Sequence, residues 1–181
     1  MPGRVIISTE RLSLREVQLD DLEFVASMLG DPEVVRFWPA AFSRDDARGW
    51  IAKQRSRYET DGFGYWLAIE HATGEPVGAV GLMTTELPGG ECEVGLGWIV
   101  NRPHWRRGFA YEGASACVTY AFDELGLGRL TAVIRPENEA SLGVARKLGM
   151  IEERETEFAG LAHILLAHPA GTTRTASSPK K

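Results

Sequence analysis

Trp98-Ile99-Val100-Asn101-Arg102-Pro103-His104-Trp105-Arg106-Arg107-Gly108-Phe109-Ala110-Tyr111-Glu112-Gly113-Ala114 changes character midway. An apolar run ends at Val100, a basic loop turns through Gly108, and an amphipathic segment begins. Ala110, Ala114, Cys117, Val118, Ala121 and Leu125 then recur at three- and four-residue steps, which makes one apolar helical stripe. Gly126 and Gly128 end it. The first turn of a helix offers unpaired backbone N–H groups and the positive end of the helix dipole. With Arg106, Arg107 and Gly108 at that point, the loop is a receptacle for a phosphate or pyrophosphate.

Strand-like runs flank this helix at 93–100 and 130–134. Two strands joined by a helix run parallel. Upstream, two further runs at 65–70 and 76–82 are separated from each other and from 93–100 by short Gly-bearing turns, which predicts an antiparallel meander. Gly95 and Gly97 inside the third run are unusual, and mark a bulge or a close approach by a ligand.

The chain opens with a strand at 11–15. A helix follows, capped by Asp20 or Asp21 and stopped by Gly30. A second helix starts at the N-cap Ser43, with Asp45 and Asp46 in its first turn, and ends at Asp61-Gly62. Downstream, Pro136 stops the 130–134 strand, 138–148 is a fourth helix, and strands at 150–158 and 161–167 finish the fold. The predicted order is β-α-α-β-β-β-α-β-α-β-β. It implies a single α/β (α+β) domain at 10–168. The central sheet is mixed and mostly antiparallel, with helices on both faces. Residues 169–181, rich in Thr, Ser, Pro and Lys, read as a disordered tail.

Composition narrows the function. A length of 181 residues suits one domain with a sizeable core, and 44% hydrophobic with 25% charged residues is ordinary for a globular protein. The formal net charge of −5 argues against a general affinity for nucleic acid or an anionic membrane. No apolar run approaches the ~20 residues of a membrane span, and residues 1–10 carry no signal-peptide core, which leads us to expect a cytoplasmic protein. Cys92 and Cys117 lack disulfide or metal spacing, so two reduced thiols on buried faces are expected. His104 and His163 have no metal-ligand company, and no metal is expected.

The loop Trp105-Arg-Arg-Gly-Phe-Ala110, the segment Arg135-Pro-Glu-Asn138-Glu-Ala-Ser141 through Lys147-Leu-Gly-Met150, and the order of elements together resemble the GNAT superfamily of acyl-CoA-dependent N-acyltransferases. The resemblance covers nearly all of 10–168. Trp105, where the wider family carries Gln or Arg, looks like the branch that acetylates N-terminal alanines of ribosomal proteins. A sheet splayed between its fourth and fifth predicted strands, 93–100 and 129–135, is thereby implied. So is acetyl-CoA as co-substrate, held with its pyrophosphate on the backbone of Arg106, Arg107, Gly108, Phe109, Ala110 and Tyr111. Gly108 would allow the close approach. The resemblance further implies that pantetheine enters the notch along Trp98, Ile99 and Val100, where one amide would stabilise the thioester oxyanion, and that Asn138 bonds the pantetheine arm. Asn138 also suits a helix N-cap. A homodimer is compatible with the family.

The chemistry is attack of a neutral primary amine on a thioester. An α-amine, pKa ~8, is easier to deprotonate than a lysine, ~10.4. Glu93, in a Glu-x-Gly pattern on the strand beside the notch, is the candidate base. Many relatives protonate the leaving thiolate with a tyrosine, but that position here is Ala145, so Ser141 is the candidate donor. Trp38 and Phe42, with Phe37, Pro39, Tyr65 and Trp66, are candidate walls of the acceptor site. The acceptor remains either a peptide N-terminus or a small-molecule amine. A catalytically weak acyl-CoA sensor or interaction module, or an enzyme for a different acyl-CoA, is the alternative.

Overall fold

The structure, a computed structural model, describes residues 2–169. In chain order its elements are β1 (Val5–Ser8), β2 (Leu12–Glu16), α1 (Leu22–Gly30), α2 (Arg44–Thr60), β3 (Tyr65–Glu70), β4 (Pro76–Leu87), β5 (Glu91–Val100), α3 (Phe109–Thr119), β6 (Arg129–Ile134), α4 (Glu139–Lys147), β7 (Ile151–Phe158) and β8 (Leu161–Pro169). The strands form one sheet in the order β1-β2-β3-β4-β5-β6-β8-β7. Every neighbouring pair is antiparallel except β5 and β6. The parallel pair is the one joined through α3. Strand β1 escaped the sequence reading, and β8 runs into Pro169, where the tail was expected to start. The rest of that expected tail lies outside the described residues.

Alternation along β4 divides the molecule into two faces. Val80 and Leu82 pack with Ala114, Cys117 and Val118 of α3. Ala79 packs with Val25 and Leu29 of α1 and Ala47 and Ile51 of α2. Leu142 and Ala145 of α4 cover Ala132 and Ile134 of β6. Helices α1 and α2 thus lie on one face, α3 and α4 on the other. Ser43 caps α2 as its sequence predicts: its hydroxyl accepts from the Asp46 N–H at 3.1 Å, and the Asp46 carboxylate accepts from the Ser43 N–H at 2.9 Å. Asp21 does not cap α1 with its side chain. It turns back instead to accept from the Gln18 N–H at 2.7 Å and from both terminal nitrogens of Arg15 at 2.7 and 2.9 Å.

The sheet opens between β5 and β6. Their ladder is limited to Gly95 opposite Thr131, and the Thr131 hydroxyl donates to the Val94 carbonyl at 3.3 Å. Beyond that point the strands part. At the closed end Arg129 of β6 donates to both oxygens of Glu93 at 3.2 and 3.3 Å and to both oxygens of Glu153 on β7 at 2.7 Å.

Two expectations are corrected here. Gly95 and Gly97 form no bulge: the β4–β5 register runs unbroken from Gly78 opposite Val100 to Leu87 opposite Glu91. These glycines make room for side chains within the protein. A Cβ on Gly97 would stand 2.0 Å from the Tyr65 hydroxyl oxygen, and one on Gly95 2.9 Å from the Thr85 hydroxyl. Cys92 is exposed; Cys117 is buried, and burial pushes its thiol pKa up.

Candidate active site

The loop before α3 is held in an unusual backbone conformation by contacts from three directions. Arg106 and Gly108 have φ of 60° and 82°, in the left-handed region where a side chain is strained and glycine is not. Arg11, just before β2, donates from Nη1 to the Arg107 carbonyl at 2.9 Å. Its Nε bonds Glu112 in the first turn of α3 at 2.6 Å. Glu112 also accepts from the Thr9 hydroxyl at 2.6 Å and the Arg11 N–H at 2.8 Å. Partial burial raises the Glu112 pKa, but these bonds more than offset it and leave the carboxyl below its ordinary range. Arg107 pairs with the buried Glu70 at 2.5 Å, and both Arg11 and Arg107 stack on the Phe109 ring at 4.8 Å. No side chain caps α3. The N–H groups of its first turn are therefore not taken up by a side-chain cap, an arrangement that suits an anion.

They open onto a cavity of about 770 Å³. Of the sequence-predicted donor-site residues, Trp98, Ile99, Val100, Arg106, Gly108, Phe109, Ala110, Tyr111, Asn138 and Ser141 line it, and so does Trp38. Lys147 lies 4.1 Å over the Tyr111 ring at its edge. The Arg107 side chain is absent from the lining, because Glu70 draws it to the other side of the loop. Trp105 is half-exposed and its indole N–H donates to the Val100 carbonyl at 2.7 Å, which pins the loop to the end of β5.

The gap itself has a defined polarity. The Asn101 N–H donates to the Val77 carbonyl on the β4 side. Alternation then turns the backbone groups of Trp98 and Val100 toward the gap, where no strand pairs with them. At the opposite lip Asn138 caps α4, its Oδ1 accepting from the Ser141 N–H at 3.1 Å. Both uses of Asn138 are thus compatible: the carbonyl oxygen is committed to the cap, while the amide nitrogen is free to donate.

A second cavity, of about 500 Å³, lies on the α1–α2 face of the sheet. Trp38, Phe42, Phe37 and Pro39 line it as the sequence suggested, together with Trp50 and Tyr65; Trp66 instead enters the core. Tyr65 is held by its own backbone: its N–H donates to Oε1 of the buried Gln54 at 3.1 Å, and its carbonyl accepts from the Tyr58 hydroxyl. Burial raises the Tyr65 phenol pKa, so the hydroxyl stays protonated as a donor. Both cavities reach Trp98, Ile99, Asn138 and Ser141. A thioester lying in the gap would therefore be open to attack from the second cavity.

Glu93 lines neither cavity. Its carboxylate is engaged by Arg129 at the closed end of the gap. The residue that sequence reasoning undervalued is His163. It lies on β8, one residue past the Ile134–Ile164 pair, lines the second cavity and is 8% exposed. Its Nδ1 is 2.9 Å from the Leu161 carbonyl. A carbonyl only accepts, so Nδ1 carries a hydrogen, which places the lone pair of the neutral ring on Nε2. A lone histidine on an apolar strand gives no sequence signal for this; only the strand register brings it to the cavity.

A family model described as an acetyltransferase (GNAT) domain matches residues 11–151. The chain is 29% identical to the protein YkkB of Bacillus subtilis over 83% of its own length and 87% of that protein's. It is 31% identical to the uncharacterized N-acetyltransferase YoaA of the same bacterium over 82% and 84%. Among solved structures it is similar to a putative ribosomal-protein-serine acetyltransferase from Vibrio cholerae, with a TM-score of 0.76, 25% identity, and coverage of 93% and 99% of the two chains.

Proposed function

The chain belongs to the GNAT acetyltransferase family and is an acetyl-CoA-dependent N-acetyltransferase, and from that premise we propose that it acetylates a primary amine entering from the α1–α2 face, by direct attack on the thioester. The observation that carries this reading is the meeting of two cavities at Trp98, Ile99, Asn138 and Ser141. One opens onto the uncapped start of α3 and suits the pyrophosphate. The other is aromatic-walled and suits an acceptor.

In this reading the backbone of Trp98 and Val100 flanks the thioester. A gap-facing N–H donates to the carbonyl oxygen as negative charge develops there. The Asn138 amide orients the pantetheine arm. Nitrogen attacks the acyl carbon, the C–S bond breaks, and the thiolate takes a proton from Ser141 or from water. The attacking nitrogen loses its proton to a base. Glu93 lines neither cavity and would act only through water, whereas His163 lines the acceptor cavity. We therefore assign the proton to His163 and give Glu93 a bracing role through Arg129.

The test is thiol release from acetyl-CoA with a panel of peptides and small amines, alongside calorimetry of acetyl-CoA binding. Acetyl-CoA is expected to bind to the wild type and to Ser141→Ala. The serine variant is expected to lose about a hundredfold in kcat, the lower end of general acid–base contributions. Undiminished turnover in Ser141→Ala would remove that assignment, and absence of acetyl-CoA binding would remove the whole reading.

A further inference from the structure

The second cavity contains no acidic side chain among the described residues that line it. Its charged groups are Arg135 at the end of β6 and Lys53 and Arg57 on α2, with His163 beside them. This is notable in a chain whose formal net charge is −5. A site for polycationic amines would need the reverse, carboxylates that offset each ammonium.

Arg135 is the sharpest of these features. It follows Ile134, which pairs with Ile164, so it stands opposite His163 on the same face of the sheet. Its Nη2 makes one long contact pair with Glu137, at 3.3 and 3.4 Å, and that carboxylate is 62% exposed. Its Nε is buried and has no hydrogen-bond partner. Buried guanidinium nitrogens are ordinarily satisfied. The accessible edge of its planar guanidinium can take a carboxylate end-on through the terminal nitrogens, and a small shift would bring the unpartnered Nε into the contact. On the other wall, Lys53 has no ion-pair partner among the described residues, and Arg57 makes only a 3.5 Å bond to the Gln54 amide oxygen. Trp38, Phe42, Trp50 and Phe158 supply the apolar surface between them.

We propose that the acceptor is an amine that also carries a carboxylate, bound at Arg135, with Lys53 and Arg57 setting a positive potential over the cavity. This rests on the reading of the second cavity as the acceptor site. The same potential serves the chemistry, since nearby cations disfavour the ammonium form and release the neutral nucleophile. A carboxylate on the acyl group of the donor is the other source of the same anion, and the experiment separates the two.

Phenylalanine and phenethylamine share a ring and an amine and differ by the carboxylate. Their binding is measured by calorimetry to protein saturated with CoA, and their acetylation by thiol release from acetyl-CoA, in the wild type, Arg135→Ala, Arg135→Lys and the double variant Lys53→Ala/Arg57→Ala. Thermal unfolding of each variant checks the fold. The wild type is expected to prefer phenylalanine at least tenfold. Arg135→Ala is expected to erase the preference with an unchanged Kd for acetyl-CoA, Arg135→Lys to restore part of it, and the double variant to weaken it. Equal or better binding of phenethylamine, faster turnover of spermidine, or a preference that survives in Arg135→Ala overturns the proposal. So does a wild type that binds neither probe. Succinyl-CoA outpacing acetyl-CoA with phenethylamine, an advantage lost in Arg135→Ala, moves the anion to the acyl group and also overturns it. Failure of acetyl-CoA to bind at all would instead remove the underlying acyltransferase reading.

Discussion

Single residues decide whether donor and acceptor can approach each other. Gly97 faces the Tyr65 hydroxyl so closely that a methyl group would stand 2.0 Å from it. Gly97→Ala must therefore push the phenol out of the second cavity or shift β5. It is expected to cost about 1–3 kcal/mol, the usual range for overpacking, and to raise the acceptor KM more than the acetyl-CoA KM. Thermal melts and steady-state kinetics would read both; an unaffected acceptor KM contradicts the assigned contact. Gly108 has φ of 82°, and an added side chain would meet Arg11 at 3.3 Å. Gly108→Glu combines backbone strain with a like charge at the anion site and is expected to abolish acetyl-CoA binding by calorimetry. At position 163 the test is turnover at fixed pH. His163→Gln should lower kcat about a hundredfold, the lower end of general-base contributions, and leave acetyl-CoA binding unchanged. Glu93→Gln should lower the melting temperature and leave kcat little changed.

Elements show why some of this was legible and some was not. The α3 stripe, the Ser43 cap and the β3–β4–β5 meander follow from period and turn chemistry: β3 has the predicted ends, β4 and β5 lie within five residues of theirs, and the α3 stripe runs on past Thr119 through a π-helical turn at Tyr120–Glu124. The glycine turn before α3 was legible too, but the direction of Arg107 was not, since its side chain leaves the cavity for Glu70. Strand β1 was not: its four residues, Val5–Ser8, are too short to show a period. Nor was the brace on the loop, since Arg11 and Glu112 are far apart in sequence and give no local signal. That brace carries its own prediction. Arg11→Ala removes the side-chain bonds to the Arg107 carbonyl and Glu112 at once and leaves only its backbone N–H bond to Glu112. The loop should then lose its preorganised form, and Kd for acetyl-CoA should rise about tenfold while kcat changes little. Because bonding depresses the Glu112 pKa below its unfolded value, its stabilising contribution is present above the unfolded carboxylate pKa, ~4.3, and fades as pH falls through the folded value. Acid should therefore weaken acetyl-CoA binding in the wild type more than in Glu112→Gln.

At the scale of the molecule, the open gap is a hole in the sheet, and something must keep the rest of the sheet from unzipping along it. Three strands meet at its closed end through one side chain. Arg129 of β6 engages Glu93 of β5 and Glu153 of β7, while Gly95 opposite Thr131 is the single paired position between β5 and β6. The β6–β8–β7 part is therefore tied to β1–β5 by this ion cluster, by the exposed Arg154–Glu91 pair between β7 and β5, and by the packing of α3 and α4. The three side chains are 37%, 21% and 34% exposed, so solvent screens them and the cluster contributes about 1 kcal/mol rather than several. Arg129→Ala is then expected to lower the melting temperature by about 2–4 °C. It should also speed hydrogen exchange at the gap-facing amides of β5 and β6 more than at β2 and β3. The Glu153 carboxyl is held below its ordinary range, chiefly by the Arg129 hydrogen bond. Its share of the tie is thus complete above the unfolded carboxylate pKa and declines as pH falls through the lower folded value. The melting-temperature difference between wild type and Arg129→Ala should shrink below about pH 4. A difference that persists unchanged into strong acid would show that packing, and not the ion cluster, holds the two parts of the sheet together.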